Sequence, residues 1–301
     1  MKGKCPYLKS EYLEFLRNFR FRPSQHIKLD YVPVSELKGD IHLATSGLWK
    51  DTILYEIPLL ALVSEAYFKF CDRDWNYESQ EEKAFAKGVK LLNGGCIFSE
   101  FGTRRRRDSI TQDMVMQGLK RAAQHCLDSP GKFTGTSNVY FAMKYDIEPV
   151  GTMAHEWFMG IAASKNNYEE ATRSGLKNWC ECFGKGVLAV ALTDTFGTPA
   201  FLRVFKEPLP EHLRDGTDGK PVTYAEAFKG VRQDSGDPHD FITMMRDFYD
   251  SMGLAKGQTM VFSDSLNIER SLEYKESAER AGFQPTFGIG TFLTSEVSSA
   301  R

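Results

Sequence analysis

No stretch of the 301 residues approaches the roughly 18 uninterrupted apolar residues that a membrane-spanning helix requires, and Met1 to Lys9 holds no long apolar run. The expectation is a cytoplasmic chain, with a nuclear pool allowed. An excess of either charge is also missing: the net charge is −2 and the isoelectric point is near 6.3. No global field therefore draws nucleic acid or an anionic membrane, and any anion site has to be built locally. The six cysteines (Cys5, Cys71, Cys96, Cys126, Cys180 and Cys182) include no CxxC pair, and His125 beside Cys126 has no matching pair elsewhere. That spacing predicts reduced structural thiols rather than zinc ligands. What is present is an ordinary globular composition, 42% hydrophobic and 26% charged, enough for one large domain or a domain with a smaller lobe.

Along the chain, the first fifty residues combine an aromatic, basic patch at Tyr12 to Arg22 with turn-rich segments around Pro23, Pro33 and Gly39, and show no barrel-like rhythm. From Asp51 a helical stripe of Ile53, Ile57, Leu60, Ala61, Ser64 and Phe68 takes over, with Pro58 near its start. Leu54, Leu59, Leu62 and Val63 fall off the stripe, which predicts a helix packed on both sides. A second helix, Glu81 to Leu92, ends at Asn93-Gly94-Gly95, residues suited to a helix C-terminus. After Gly95 short apolar strands alternate with amphipathic helices. Seven strands are expected, at Cys96 to Ser99, Phe133 to Thr134, Glu148 to Val150, Val187 to Leu192, Gly230 to Arg232, Met260 to Phe262 and Pro285 to Phe287. Such alternation predicts an α/β fold with a parallel sheet and crossover helices. The expected division is residues 1–94 as a partial N-terminal domain with linking helices, 95–293 as the barrel-like domain, and 294–301 as a divergent tail.

The unusual residues fall just after the strands, in turns reading FSEFGTRRRR, FTGTSN, VGTMAHE, ALTDTFGT, GVRQDSGD, VFSDSLN and FGIGT. At one end of a closed barrel these turns would gather Glu100, Arg104, Ser137, Asn138, His155, Asp194, Arg232, Asp234, Ser263, Asp264 and Gly290 around one mouth. An open doubly wound sheet would separate them. A TIM-like barrel is therefore favoured over a Rossmann-like sheet, irregular with seven strands or completed by an eighth not visible in the pattern.

Each motif has a plain reading beside a chemical one. The run Arg104 to Arg107 is either a solvated basic stretch or, lying between a strand end and a helix start, a phosphate clamp in which Arg104 and Arg105 face the ligand. Gly288-Ile289-Gly290-Thr291 is either a tight turn or, beside Ser263-Asp264-Ser265, half of a phosphomonoester site built from the last two loops. His155 is either a hydrogen-bonded residue near Trp157 or a nucleophile and proton shuttle at the mouth. Among the carboxylates, Asp237 before Pro238 resembles a helix cap and Asp194 a turn residue, which leaves Asp234 and Asp264 to bind metal-bound pyrophosphate, ribose hydroxyls or a cationic sugar carbon.

The stretch from about Ser46 to Thr291 closely resembles fungal and bacterial nicotinate phosphoribosyltransferases, through SGLWKDTILYEIPLLALVSEAY, FSEFGTRRRR, GTSNVYFAMKYDIEPVGTMAHEW, LALTDTFGT, GVRQDSGDP, SDSLN and TFGIGT, in family order. The resemblance implies a type II phosphoribosyltransferase fold, an irregular barrel with a smaller N-terminal α/β domain, here incomplete. It implies nicotinate, 5-phosphoribosyl 1-diphosphate and ATP as substrates, Mg2+ as cofactor, nicotinate mononucleotide as product, and a homodimer with no nucleic-acid or membrane partner. His155 matches the family histidine that ATP phosphorylates and whose phosphohistidine hydrolysis drives synthesis. By the same matching Thr152 and Arg232 face nicotinate, Ser263, Gly290 and Thr291 hold the ribose phosphate, and Arg104 and Arg105 help hold the donor. Ser137, Asn138, Asp234, Asp264 and Gly288 complete the expected substrate-binding set. Nothing in Met1 to Asp51 matches the Asp-Thr-Asp-x-Tyr-Lys segment with which family members begin, and Ser295 to Arg301 reads as an unrelated tail, so truncation at both ends is expected. The competing readings are an inactive fragment that only joins an intact subunit, and a nicotinamide phosphoribosyltransferase.

Overall fold

The structure is a computed structural model that describes residues 3–36, 38–214 and 221–295. Six parallel strands follow Gly95: β3 (Ile97–Glu100), β4 (Lys132–Thr136), β5 (Val190–Leu192), β6 (Gly230–Gln233), β7 (Thr259–Phe262) and β8 (Gln284–Ile289). They stand in the order β4-β3-β8-β7-β6-β5. Pairing of β3 with the last strand, Phe98 opposite Phe287, closes the sequence order into a ring. A doubly wound sheet would instead reverse its order at a switch point. The arrangement is the expected irregular barrel, and its strands bury Phe98, Ala191, Val231, Met260, Phe262, Phe287 and Ile289.

The seventh expected strand, Glu148 to Val150, survives only as one bridge between Pro149 and Thr136. Thr136 donates to the Glu148 carbonyl and accepts from the Val150 amide, but Pro149 has no N–H to extend the ladder. The barrel is therefore not hydrogen-bonded all the way round among the described residues. Five of its helices start where a side chain satisfies their free amides: Asp108, Asn138, Asn167, Asp237 and Asn267 each cap a helix. Among them are the crossover helices Tyr168–Phe183 and Pro238–Ser251.

The N-terminal residues add a hairpin that the pattern does not single out and correct one expectation. The first fifty residues contain an antiparallel hairpin, β1 (Ile27–Pro33) and β2 (Gly39–Thr45), with Tyr31 opposite Ile41. Its alternation of Ile27, Leu29 and Tyr31 with Lys28 and Asp30 is a strand signal overshadowed by the turn residues around it. The apolar stretch after Asp51 breaks at a 3-10 turn, Ile53–Tyr55, and continues as helix Glu56–Phe70. Only Ala61 and Phe68 of that helix are buried, while Ile57, Leu60, Leu62 and Val63 are exposed. It packs on one side because its close neighbour is the arginine loop: Ser64 donates to the Arg106 carbonyl and Glu65 pairs with the Arg106 guanidinium. The tail from residue 296 onward lies outside the described residues.

Candidate active site

Four segments meet at the C-terminal ends of the strands, where parallel α/β barrels leave their loops free to carry function. His155 opens helix His155–Lys165, Asp194 and Thr195 follow β5, Asp234 follows β6, and Ser263 follows β7. His155 Nε2 lies 3.0 Å from Asp234 Oδ2, and Nδ1 lies 3.1 Å from Thr195 Oγ1. Burial works to raise the Asp234 carboxyl, but the His155 hydrogen bond, the Arg232 charge and the Ser263 hydroxyl outweigh it and hold the group well below the usual carboxylate range. An ionised carboxylate only accepts, so Nε2 carries a proton. In the neutral ring Nδ1 then keeps its lone pair, facing the Thr195 hydroxyl. The Asp234 bond raises His155 above its ordinary value, with burial opposing and the Asp194 and Asp234 charges assisting.

Arg232 knits the rest together. Its Nε donates to Ser263 Oγ at 2.7 Å, one terminal nitrogen donates to Thr152 Oγ1 at 2.9 Å, and the other reaches Asp234 Oδ1 at 2.8 Å. Ser263 in turn donates to Asp234. Four of the expected residues, Thr152, Arg232, Asp234 and Ser263, thus form one network around His155.

Sequence reasoning underrated two members of this group. Asp194, read as a turn residue, places Oδ1 3.9 Å from His155 Nε2, buried and without a hydrogen-bond partner among the described residues, while Oδ2 accepts from Ser235. Thr195 was given no role, although both lie in the ALTDTFGT turn. Asp237 is the helix cap its Asp-Pro context suggests, accepting from the amides of His239 and Asp240. Asp264 is exposed, takes a hydrogen bond from neighbouring Ser265 and does not join the histidine group.

The loop after β3 divides its four arginines. Arg104 and Arg105 sit on the exposed 3-10 turn Thr103–Arg105, whereas Arg106 is committed to Glu65 and Gln112, and Arg107 lies over the rings of Phe68 and Trp75. Ser137 is exposed beside this loop, and Asn138 both caps helix Val139–Tyr145 and donates to Thr103 Oγ1 at 3.1 Å. Gly290 and Thr291 lead from β8 into the turn Thr291–Thr294. Gly288 is buried in β8 with the Phe101 ring against it, where a Cβ would come within 2.7 Å of that ring, so its smallness serves packing. Glu100, expected at the mouth, is fully buried beneath the loop.

The sequence matches the same assignment. Residues 1–64 match the nicotinate phosphoribosyltransferase N-terminal domain and residues 96–301 the nicotinate phosphoribosyltransferase family. This chain belongs to the nicotinate phosphoribosyltransferase family. A Schizosaccharomyces pombe protein named probable nicotinate phosphoribosyltransferase is 48% identical over 98% of the chain and 68% of its own length. The Saccharomyces cerevisiae nicotinate phosphoribosyltransferase is 42% identical over 96% of the chain and 66% of its own length. The crystal structure of the Porphyromonas gingivalis nicotinate phosphoribosyltransferase superposes with a TM-score of 0.83 at 30% identity, over the whole chain and 70% of that structure. The chain thus spans about two thirds of the length of these relatives. The function these matches support is that of an enzyme, nicotinate phosphoribosyltransferase in NAD salvage, and they do not favour the fragment and nicotinamide readings. For a nicotinate phosphoribosyltransferase, the N-terminal match extends the likeness upstream of Ser46, where the motif resemblance began.

Proposed function

We propose that this nicotinate phosphoribosyltransferase couples ATP hydrolysis to mononucleotide synthesis through a phosphoryl group carried on His155. The observation that carries the reading is the ring's double anchorage, Nε2 on Asp234 and Nδ1 on Thr195. Nδ1 attacks the γ-phosphorus of ATP, the N–P bond forms as the bond to the β-γ bridging oxygen breaks, and ADP leaves. Asp234 balances the charge that develops on the ring by accepting the Nε2 hydrogen bond. Water later cleaves the N–P bond to release phosphate. In the synthetic step the nicotinate ring nitrogen bonds to C1 of the phosphoribosyl group as pyrophosphate departs. Thr152 and Arg232 orient nicotinate; Ser263, Gly290 and Thr291 hold the ribose phosphate; Arg104, Arg105, Ser137 and Asn138 face the donor.

Mg2+ suits this site as a neutraliser of pyrophosphate charge. Asp194 Oδ1, buried near His155 and without a hydrogen-bond partner among the described residues, fits a hard cation. No group of three or more histidine, cysteine or acidic side chains among the described residues is arranged to hold a metal, so Asp194 would share it with phosphate oxygens and water. Homodimerisation is supported by the apolar surface of the hairpin and helix Glu56–Phe70, with Leu29, Tyr31, Ile41 and Leu62 all exposed. A cytoplasmic setting, with a nuclear pool, is consistent with six unpaired cysteines.

The experiment is phosphoryl labelling from γ-labelled ATP, with mononucleotide formation measured in parallel. Wild-type protein should acquire acid-labile label and respond to ATP. The His155→Asn protein should lose the label and uncouple ATP hydrolysis from product, while basal transfer on the donor-binding residues survives. Acid-labile label persisting in a folded His155→Asn protein would show that another residue carries the phosphoryl group.

A further inference from the structure

One buried ionisable group has no part in the chemistry above. Glu100 closes β3, and its carboxylate accepts from three different segments: the Gly102 amide in the arginine loop, the Thr136 hydroxyl at the end of β4, and Gln112 Nε2, which lies 3.1 Å from both oxygens, on helix Ser109–His125. The Thr136 hydroxyl already accepts from the Asn138 amide at 3.0 Å, so its proton is free for Glu100. Gln112 Nε2 also reaches Thr103 Oγ1 at 2.9 Å, the oxygen that Asn138 Nδ2 shares. The main chain continues the pattern, with the Glu100 carbonyl accepting from the Ser137 amide and the Gly102 carbonyl from Thr294 Oγ1 at 3.2 Å. A Cβ on Gly102 would lie 2.3 Å from Thr294 Oγ1 and 2.9 Å from Glu100 Oε1, so the loop passes between them only as glycine.

Every oxygen of this carboxylate is spent on holding loops, and none reaches the surface. Burial pushes its carboxyl upward, against the pull of Thr136, Gly102, Gln112 and the Arg106 charge. A carboxyl group buried at that desolvation cost, with its donors drawn from three segments, is a structural joint whose removal leaves those donors unsatisfied in a dry site. We propose that Glu100 is the positioning residue of the phosphoribosyl-donor site, tying the loops after β3, β4 and β8 into one unit so that Arg104, Arg105, Ser137, Asn138, Gly290 and Thr291 meet the donor together. The inference rests on the reading that these loops hold the donor. Nicotinate, held by Thr152 and Arg232 on the far arc of the ring, lies outside the joint.

The test compares binding of 5-phosphoribosyl 1-diphosphate and of nicotinate, each measured separately by calorimetry, in wild-type, Arg104→Ala, Glu100→Gln and Thr294→Val proteins that retain a cooperative melt. Glu100→Gln keeps shape but replaces one acceptor by a donor, and Thr294→Val removes only the hydroxyl that reaches Gly102. Both should weaken donor binding at least roughly tenfold and leave nicotinate binding unmoved. If Arg104→Ala loses donor affinity while Glu100→Gln and Thr294→Val do not, the positioning role is overturned and the donor reading stands. Equal losses for both ligands in folded Glu100→Gln protein would make the joint merely structural and overturn the proposal. No effect of Arg104→Ala would overturn the donor reading and the proposal with it.

Discussion

At the scale of single residues, Arg232 shows how one side chain sets the character of the site. Its planar fork meets Ser263, Thr152 and Asp234 in three directions, a geometry that an ammonium group cannot reproduce. Arg232→Lys keeps the charge but loses the fork on which a planar carboxylate would dock. Nicotinate affinity should fall about tenfold, or ~1.4 kcal/mol, and more than donor affinity. Calorimetry with each ligand checks this, and equal losses would remove Arg232 from the nicotinate-reading role. Asp194 and Thr195 carry the complementary lesson. In sequence they are a polar pair in a turn, and nothing in spacing separates them from a solvated loop. Their nearness to His155 depends on how the loop after β5 meets the segment that follows the Pro149 bridge.

Elements were more legible than contacts. Short apolar strands and amphipathic helices announced themselves through period and caps, because burying one face of each element imposes that pattern on the chain. The hairpin of β1 and β2 escaped because its apolar residues remain exposed, with Tyr31 61% and Ile41 64% accessible, so no core demanded a longer or cleaner alternation. The turn after β8 can be probed as an element. A Cβ on Gly290 would come 3.2 Å from the Phe101 carbonyl oxygen, tighter than an ordinary contact, and a branched side chain leaves little room to turn away. Gly290→Val should therefore displace the loop and reduce donor binding roughly tenfold. Unchanged donor affinity in a folded protein would return this segment to a simple turn.

For the whole molecule, the His155–Asp234 pair links folding to pH. His155 has a raised value in the folded state, so its contribution is fully present below the unfolded histidine value of about 6.5 and is lost as pH rises through the raised one. Asp234 has a depressed value, so its contribution is present above the unfolded value of about 3.9 and is lost as pH falls through the depressed one. The pair therefore stabilises most between roughly pH 4 and 6.5, and both shifts describe largely one interaction. Urea denaturation should show the stability difference between wild-type and His155→Asn proteins greatest near pH 5 and shrinking toward alkaline pH. A difference independent of pH would mean that the ion pair does not couple to folding.

The sequence by itself determined the α/β class, the six segments that become barrel strands, the loops bearing His155, Arg232, Asp234 and Ser263, and the family blocks in their order. These are local properties: strand and helix periods, caps and turn residues are written within a dozen positions of one another. Tertiary structure alone decided that Pro149 leaves the wall incompletely hydrogen-bonded, that Asp194 and Thr195 stand at His155 while Asp264 does not, and that two of four consecutive arginines are committed to packing and pairing. It also decided that Glu100 lies beneath the mouth rather than in it. Each of those outcomes depends on the distance between residues far apart in the chain, set by strand order and by which side chains exclude water, and no periodicity encodes that distance.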